Sequence, residues 1–149
     1  MIFEHSETRA AIQLALKFLA RQDATTFELR SKLGSKFSQV AIEESIKFLQ
    51  KNHLLDDLRL VRNHIESNLG KSAKGNLALI HKLTSKGLDE TMVQAFLDEL
   101  AEPEIERAKK LVTLKFGQGD QPKRIARFLY ARGYSEETIE SLLGDLSAD

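Results

Sequence analysis

Apolar residues recur along this chain at intervals of three and four, the spacing of a helix that buries one face. Ile12, Ala15, Leu16 and Leu19 form a first stripe, Leu29 and Leu33 a second, and Ile42, Ile46 and Leu49 a third. The pattern then begins again with Leu58, Val61 and Ile65, followed by Leu79, Ile80 and Leu83, and by Val93, Leu97 and Leu100. A last round holds Ile105, Ala108, Leu111 and Val112, then Ile125 and Leu129, then Ile139, Leu143 and Leu146. The third stripe of every round has the same i, i+4, i+7 spacing. This predicts an all-α protein: nine helices in three tandem three-helix repeats, stacked into an elongated or curved helical body. The expected repeats are residues 1–54, 55–101 and 102–149.

Polar punctuation supports the division. Thr25 and Glu28 fit a capping box, in which each side chain satisfies the other's free backbone N–H. Ser38 opens the third helix. Asp56 or Asp57 suits a helix N-cap, and Pro103 suits a first turn, where its missing N–H is not needed. The segments Gly70–Gly75 and Gly117–Pro122 read as loops. Between the second and third helices of the later repeats one joint occurs twice, as Lys86-Gly87-Leu88-Asp89-Glu90 and Arg132-Gly133-Tyr134-Ser135-Glu136. The glycine fits the left-handed position after a helix. The Asp or Ser caps the next helix, and the Glu in its first turn suits the helix dipole. The corresponding first joint, Lys36-Phe37-Ser38, has no glycine and is one residue shorter, so a tighter turn is expected there.

Composition narrows the function. The chain has 149 residues and no cysteine, which excludes disulfides and thiolate zinc sites. No basic segment followed by an apolar run stands at Met1–His5, and no apolar stretch approaches the ~20 residues of a membrane span. A protein without a secretory leader or a membrane segment, in the cytoplasm, is expected. The 22 basic and 22 acidic residues cancel, which argues against a dedicated nucleic-acid binder with a large basic field. The balance is local, however. Arg107 to Arg132 holds eight basic residues and one acid, Asp120, whereas Glu136 to Asp149 holds five acids and no base.

Catalytic chemistry finds little support. There is no phosphate-binding Gly-x-x-x-x-Gly-Lys-Ser/Thr loop, and Gly117-x-Gly119 follows a helix rather than a strand. His5, His53, His64 and His81 lack the spacing of a helical zinc site, so neither metal nor cofactor is expected. Adjacent Asp56 and Asp57 point in different directions at a helix end and read as a cap.

The basic residues are the stronger lead. With Ile125 and Leu129 facing inward, Lys123, Arg127 and Tyr130 project from the opposite side of their helix, Arg124 lies beside them, and Lys115 is near in the preceding helix. Lys71, Lys74 and Lys82 are also off the apolar face of the second repeat. These residues could hold phosphate or unstacked bases, or meet an acidic surface of a protein, or form a solvated face. Lys86 and Arg132 have a separate explanation, since a basic side chain near a helix C-terminus interacts favourably with its free carbonyls.

In the order and spacing of its motifs the chain resembles the RecX family, regulators of the RecA recombinase, over roughly residues 10 to 146. The resemblance is carried in the first repeat by Ala15-Leu16-Lys17-Phe18-Leu19-Ala20-Arg21 and Glu28-Leu29-Arg30-Ser31-Lys32-Leu33. In the second it rests on Leu55-Asp56-Asp57-Leu58-Arg59, the Lys74-Gly75 loop and Lys82-Leu83-Thr84-Ser85-Lys86-Gly87. In the third it rests on Phe128-Leu129-Tyr130-Ala131-Arg132-Gly133-Tyr134-Ser135. The glycine-less first joint departs from the family pattern. The resemblance implies a non-enzymatic regulator that binds RecA and its filament on single-stranded DNA, and a monomer is expected. It further implies restraint of ATP hydrolysis, strand exchange and co-protease activity in recombination, DNA repair and the SOS response. Rival expectations are a direct DNA-binding protein with helix-turn-helix-like units and a general helical-repeat scaffold.

Overall fold

The computed structural model describes residues 6–69, 73–117, 119 and 121–148, and does not extend to the side chains of Leu100 and residues 145–148. Among these residues the chain forms nine α-helices and no strand: α1 Ser6–Arg21, α2 Thr26–Gly34, α3 Gln39–Lys51, α4 Asp57–Ser67, α5 Asn76–Ser85, α6 Glu90–Leu100, α7 Glu104–Lys115, α8 Pro122–Ala131 and α9 Glu136–Ala148. The expected all-α, three-helix plan is therefore the observed one. The proposed contributions of Leu100 and Leu146 to their stripes lie outside the described side chains, as do Gly70–Ser72, Gln118 and Asp120 of the two loops.

The caps are those the local sequence calls for. Thr25 accepts the N–H of Glu28 while Glu28 reaches back to the N–H of Thr25, a complete capping box. Ser38 and Asp89 accept the N–H groups of Ala41 and Met92 at the starts of α3 and α6. Asp56 accepts the N–H of Arg59 at 3.1 Å, which leaves Asp57 as the first residue of α4 and free to bond elsewhere. Pro103 stands one residue before α7, and Pro122 is the first residue of α8.

The chain packs into two compact units, one of residues 1–60 with 85–88 and one of residues 61–84 with 89–149. In the first, α1 lies chiefly against α3, and α2 packs on both. Leu29, Leu33, Ile42, Ile46 and Leu49 are almost wholly buried at the centre, each such side chain contributing about 1.5–3 kcal/mol by leaving water. In the second, α7 and α8 pack on α9 around Leu111, Ile125, Leu129, Tyr134 and Ile139. Two stripe positions depart from expectation. Leu16 and Leu58 are 38% and 52% exposed, because α1 and α4 each bury a narrower face than their apolar spacing allows.

The joints show why glycine recurs. Gly87 and Gly133 have φ of +87° and +85°, the left-handed region that an L side chain rarely adopts. At the second of these, the Tyr134 N–H donates to the Leu129 carbonyl and the Gly133 N–H to Tyr130, closing the helix end. The first joint does without glycine. Ser35 caps α2 in the right-handed region, and the Leu33 carbonyl accepts the N–H groups of both Lys36 and Phe37, at 3.0 and 3.1 Å. This is the tighter turn expected of the shorter spacing.

Both glycine joints also press on the start of an earlier helix. The Thr25 hydroxyl donates to the Lys86 carbonyl at 2.6 Å, and a Cβ at Gly87 would meet the ring of Phe27. In the second unit the N–H groups of Gly75 and Leu77 donate to the carbonyls of Arg132 and Gly133 at 2.9 and 3.0 Å. A Cβ at Gly133 would there meet Ala78, and one at Gly75 would meet the backbone of Gly133 and Tyr134.

Candidate partner-binding surface

The expected surface divides into two faces of α8. Ile125 and Leu129 are buried, and Lys123, Arg127 and Tyr130 lie on the opposite side, all exposed, Tyr130 at 69%. Arg127 and Tyr130 with Ala126 form one wall of a cleft of about 340 Å³ whose other wall is Glu136, Ile139 and Glu140 of α9. This face therefore combines an exposed aromatic and a guanidinium with two carboxylates across an apolar floor.

Arg124 belongs to a different face, about a quarter-turn round the helix at 100° per residue. Its guanidinium lies 5.3 Å from the centre of the Phe116 ring. Phe116 ends α7 and packs edge-to-face against Phe128 of α8, with ring centres 5.3 Å apart and planes at 82°. Two further cations meet Phe128, Lys115 at 4.9 Å and Arg132 at 5.2 Å. Lys115 and Arg124 are thus brought together, on a ring pair that helical periodicity does not reveal. Arg132 joins them. It stands at the end of α8, as its sequence position suggested, but its side chain turns onto a ring and its Nε is buried without a hydrogen-bond partner.

The remaining sites are spread out. Lys74 is exposed, and its carbonyl accepts from Arg107 at 2.9 Å. Lys82 is exposed on α5. It precedes Leu83 as Phe128 precedes Leu129, so it shares the helical register of Phe128 and not of Arg127. Lys71 lies outside the described residues.

One member of the basic run is not at the surface. Arg107 is 5% exposed. Its guanidinium donates to the carbonyls of Glu102 and Lys74 and to Oδ1 of Asn76, so it holds the backbone around the start of α5. Beside it Glu104 accepts from Asn76 N–H at 2.6 Å, from the Ser135 hydroxyl at 2.7 Å and from the Thr138 hydroxyl at 2.6 Å. Burial pushes the Glu104 carboxyl up, but the hydrogen bonds from Thr138, Ser135 and Asn76 outweigh it and hold the group below its ordinary value. The Tyr134 hydroxyl donates to the Ala73 carbonyl at 2.9 Å, and burial raises its pKa. Asp57 plays a role like that of Glu104 in the first unit, accepting the N–H and hydroxyl of Thr26 at 2.9 and 3.2 Å. The Asp56–Asp57 pair is accordingly a cap and a brace.

Among the described residues no helix is long and apolar enough to cross a membrane. A family profile described as RecX, first three-helix domain, matches residues 11–49. The regulatory protein RecX of Prosthecochloris aestuarii is 31% identical over 145 residues, spanning 95% of this chain and 96% of its own. That of Vibrio vulnificus is 31% identical over 138 residues, spanning 88% and 89%. The crystal structure of RecX from Lactobacillus salivarius superposes with a TM-score of 0.76 over 96% of this chain and 98% of that one, at 22% identity. This likeness shows the fold.

Proposed function

The chain belongs to the RecX family, and from that premise we propose that it is a regulator of the RecA recombinase. In this reading it is cytoplasmic, monomeric and non-enzymatic. It binds RecA and the RecA filament on single-stranded DNA and restrains ATP hydrolysis, strand exchange and co-protease activity. The observation that carries the reading is similarity to proteins named regulatory protein RecX along nearly the whole chain. Repeats of residues 1–54, 55–101 and 102–149 would each offer part of the contact, so that weak interactions add through avidity. The proposed contact residues are Lys71, Lys74, Lys82, Lys115, Lys123, Arg124, Arg127 and Tyr130. The exposure of Lys123, Arg127 and Tyr130 on one face of α8 supports their choice.

The test is RecA ATPase on single-stranded DNA with this protein titrated in. The native chain should suppress turnover. The triple variant Lys123→Glu, Arg124→Glu, Arg127→Glu should lose most of that suppression. A triple variant that folds normally and still suppresses fully would remove the basic residues of α8 from the proposal. No suppression by the native chain would remove the regulator reading itself.

A further inference from the structure

We infer that the cleft between α8 and α9 is a docking site for a helical segment of a partner protein, one with an apolar stripe, acids along one flank and bases along the other. The comparison that carries this lies within the chain. Aligned on Leu29 and Leu33 against Ile125 and Leu129, Arg30 of α2 corresponds to Ala126 of α8. Aligned on Ile42 and Ile46 against Ile139 and Leu143, Glu43 of α3 corresponds to Glu140 of α9. In the first unit Arg30 donates from Nε and Nη2 to the Glu43 carboxylate, at 2.9 and 3.2 Å, and so bridges its helix pair. In the second unit alanine stands in the place of that arginine. Its short side chain lines the cleft of about 340 Å³, with Glu140 on the opposite wall.

The opened cleft carries binding groups on both walls. Ser31 and Gly34 of α2 correspond to Arg127 and Tyr130 of α8. Tyr130 is 69% exposed, a large ring left in water beside a floor of Ala126 and Ile139. Among the described residues no hydrogen bond or ion pair occupies the side chains of Arg127, Glu136 or Glu140. Opposite charges thus line opposite walls without pairing, whereas the exposed Lys110 does meet Glu102, at 2.7 Å.

The occupant follows from these groups. It offers an apolar side chain to the floor and ring, an acid to Arg127 and a base to Glu136 and Glu140. A phosphate backbone would satisfy the first wall and be repelled by the second. An amphipathic helix supplies all three features, since residues three and four apart form its stripe and the flanks lie to either side. Unlike charges on the two walls also fix the direction in which it lies. The inference rests on the regulator reading for its biological partner. Peptide capture is measured without a recombinase, so failure of one is distinguishable from failure of the other.

The probe is a labelled alanine-based helix of about 18 residues, long enough to be helical alone. It has a leucine stripe, glutamates on one flank and lysines on the other. Control helices carry lysine on both flanks, glutamate on both, or serine in the stripe. Fluorescence anisotropy against the full chain should show the mixed helix binding about fivefold or more tighter than either one-charge helix, the scale of surface ion pairs. Tyr130→Ala should weaken it about fivefold to tenfold, as loss of an aromatic anchor does. Arg127→Glu makes both walls acidic and should move the preference to the all-lysine helix. Ala126→Arg should restore the bridge of the first unit, to Glu140, and abolish capture although it adds a positive charge. If Ala126→Arg does not fold, the other two variants, at exposed side chains, still decide. The inference is overturned if the mixed helix binds no better than its controls, if Arg127→Glu leaves the preference unchanged, or if folded Ala126→Arg still captures the helix. Displacement of the mixed helix by oligothymidylate would overturn it in favour of nucleic acid. Sedimentation showing a dimer that Tyr130→Ala dissolves would overturn it in favour of a second copy of the chain.

Discussion

At the start of α2 a side chain makes the long-range contact: the Thr25 hydroxyl reaches the Lys86 carbonyl. At the start of α5 the backbone does so, with the Gly75 and Leu77 N–H groups meeting the Arg132 and Gly133 carbonyls. In each case an acid from the first turn of a later helix also accepts an N–H there, Asp57 from Thr26 and Glu104 from Asn76. In each case the joint ends in a glycine of positive φ. A side-chain contact keeps the two backbones apart by the length of that side chain. A backbone contact brings them together, and then neither strand of chain has room for a Cβ. This accounts for Gly75, whose φ needs no glycine but whose surroundings do. It also suggests why the first joint can lack glycine. Lys36-Phe37-Ser38 turns within the right-handed region, and Ser38 bonds to Glu7 of α1 instead.

Breaking the closer of the two contacts should cost most. Gly133→Ala adds a methyl against Ala78 and forces an alanine to φ +85°. Left-handed strain of about 1–2 kcal/mol adds to overpacking of about 1–3 kcal/mol. Urea unfolding should show a loss of about 3 kcal/mol or more, with the second unit affected first in hydrogen exchange.

The acid brace of the second unit makes its stability depend on pH. The Glu104 carboxyl is depressed in the folded chain, so its stabilisation is present above the ordinary carboxylate value of about 4.3. It is lost as pH falls from there through the folded value. Glu104→Gln should lower stability by about 2 kcal/mol at neutral pH, the scale of a hydrogen bond to a charged group. It should also flatten the decline between neutral and acid pH. Unfolding curves at several pH values measure both.

Gly87→Ala should cost less, about 1–2 kcal/mol. The φ strain is the same, but the obstacle is the side chain of Phe27, which is 54% exposed and can swing aside. Equal losses at Gly87 and Gly133 would show that backbone conformation alone sets the effect and that the closer approach in the second unit contributes nothing.

Much of the fold was legible because its causes are local. A capping box closes within four residues, and an i, i+4 stripe is written directly in the sequence. The starts at Thr25, Ser38 and Asp89 and the left-handed Gly87 and Gly133 all follow from such spacing. The candidate surface was legible only in part. Exposure of Lys123, Arg127 and Tyr130 follows from helical phase against Ile125 and Leu129. The burial of Arg107 does not, because its partners Lys74 and Asn76 are more than thirty residues away. Nor does the exposure of Leu58, whose spacing matches Val61 and Ile65 but whose side of α4 remains uncovered.

The chain alone determined where helices begin, where they end and which glycines must turn left-handed, since hydrogen bonds a few residues apart decide those. Only the tertiary structure decided where the basic side chains sit and what they touch. Arg107 became a buried brace, Arg127 faced a cleft with two glutamates, and Lys115, Arg124 and Arg132 gathered on Phe116 and Phe128. Those roles depend on which helix faces meet, and that is a property of the packed chain as a whole.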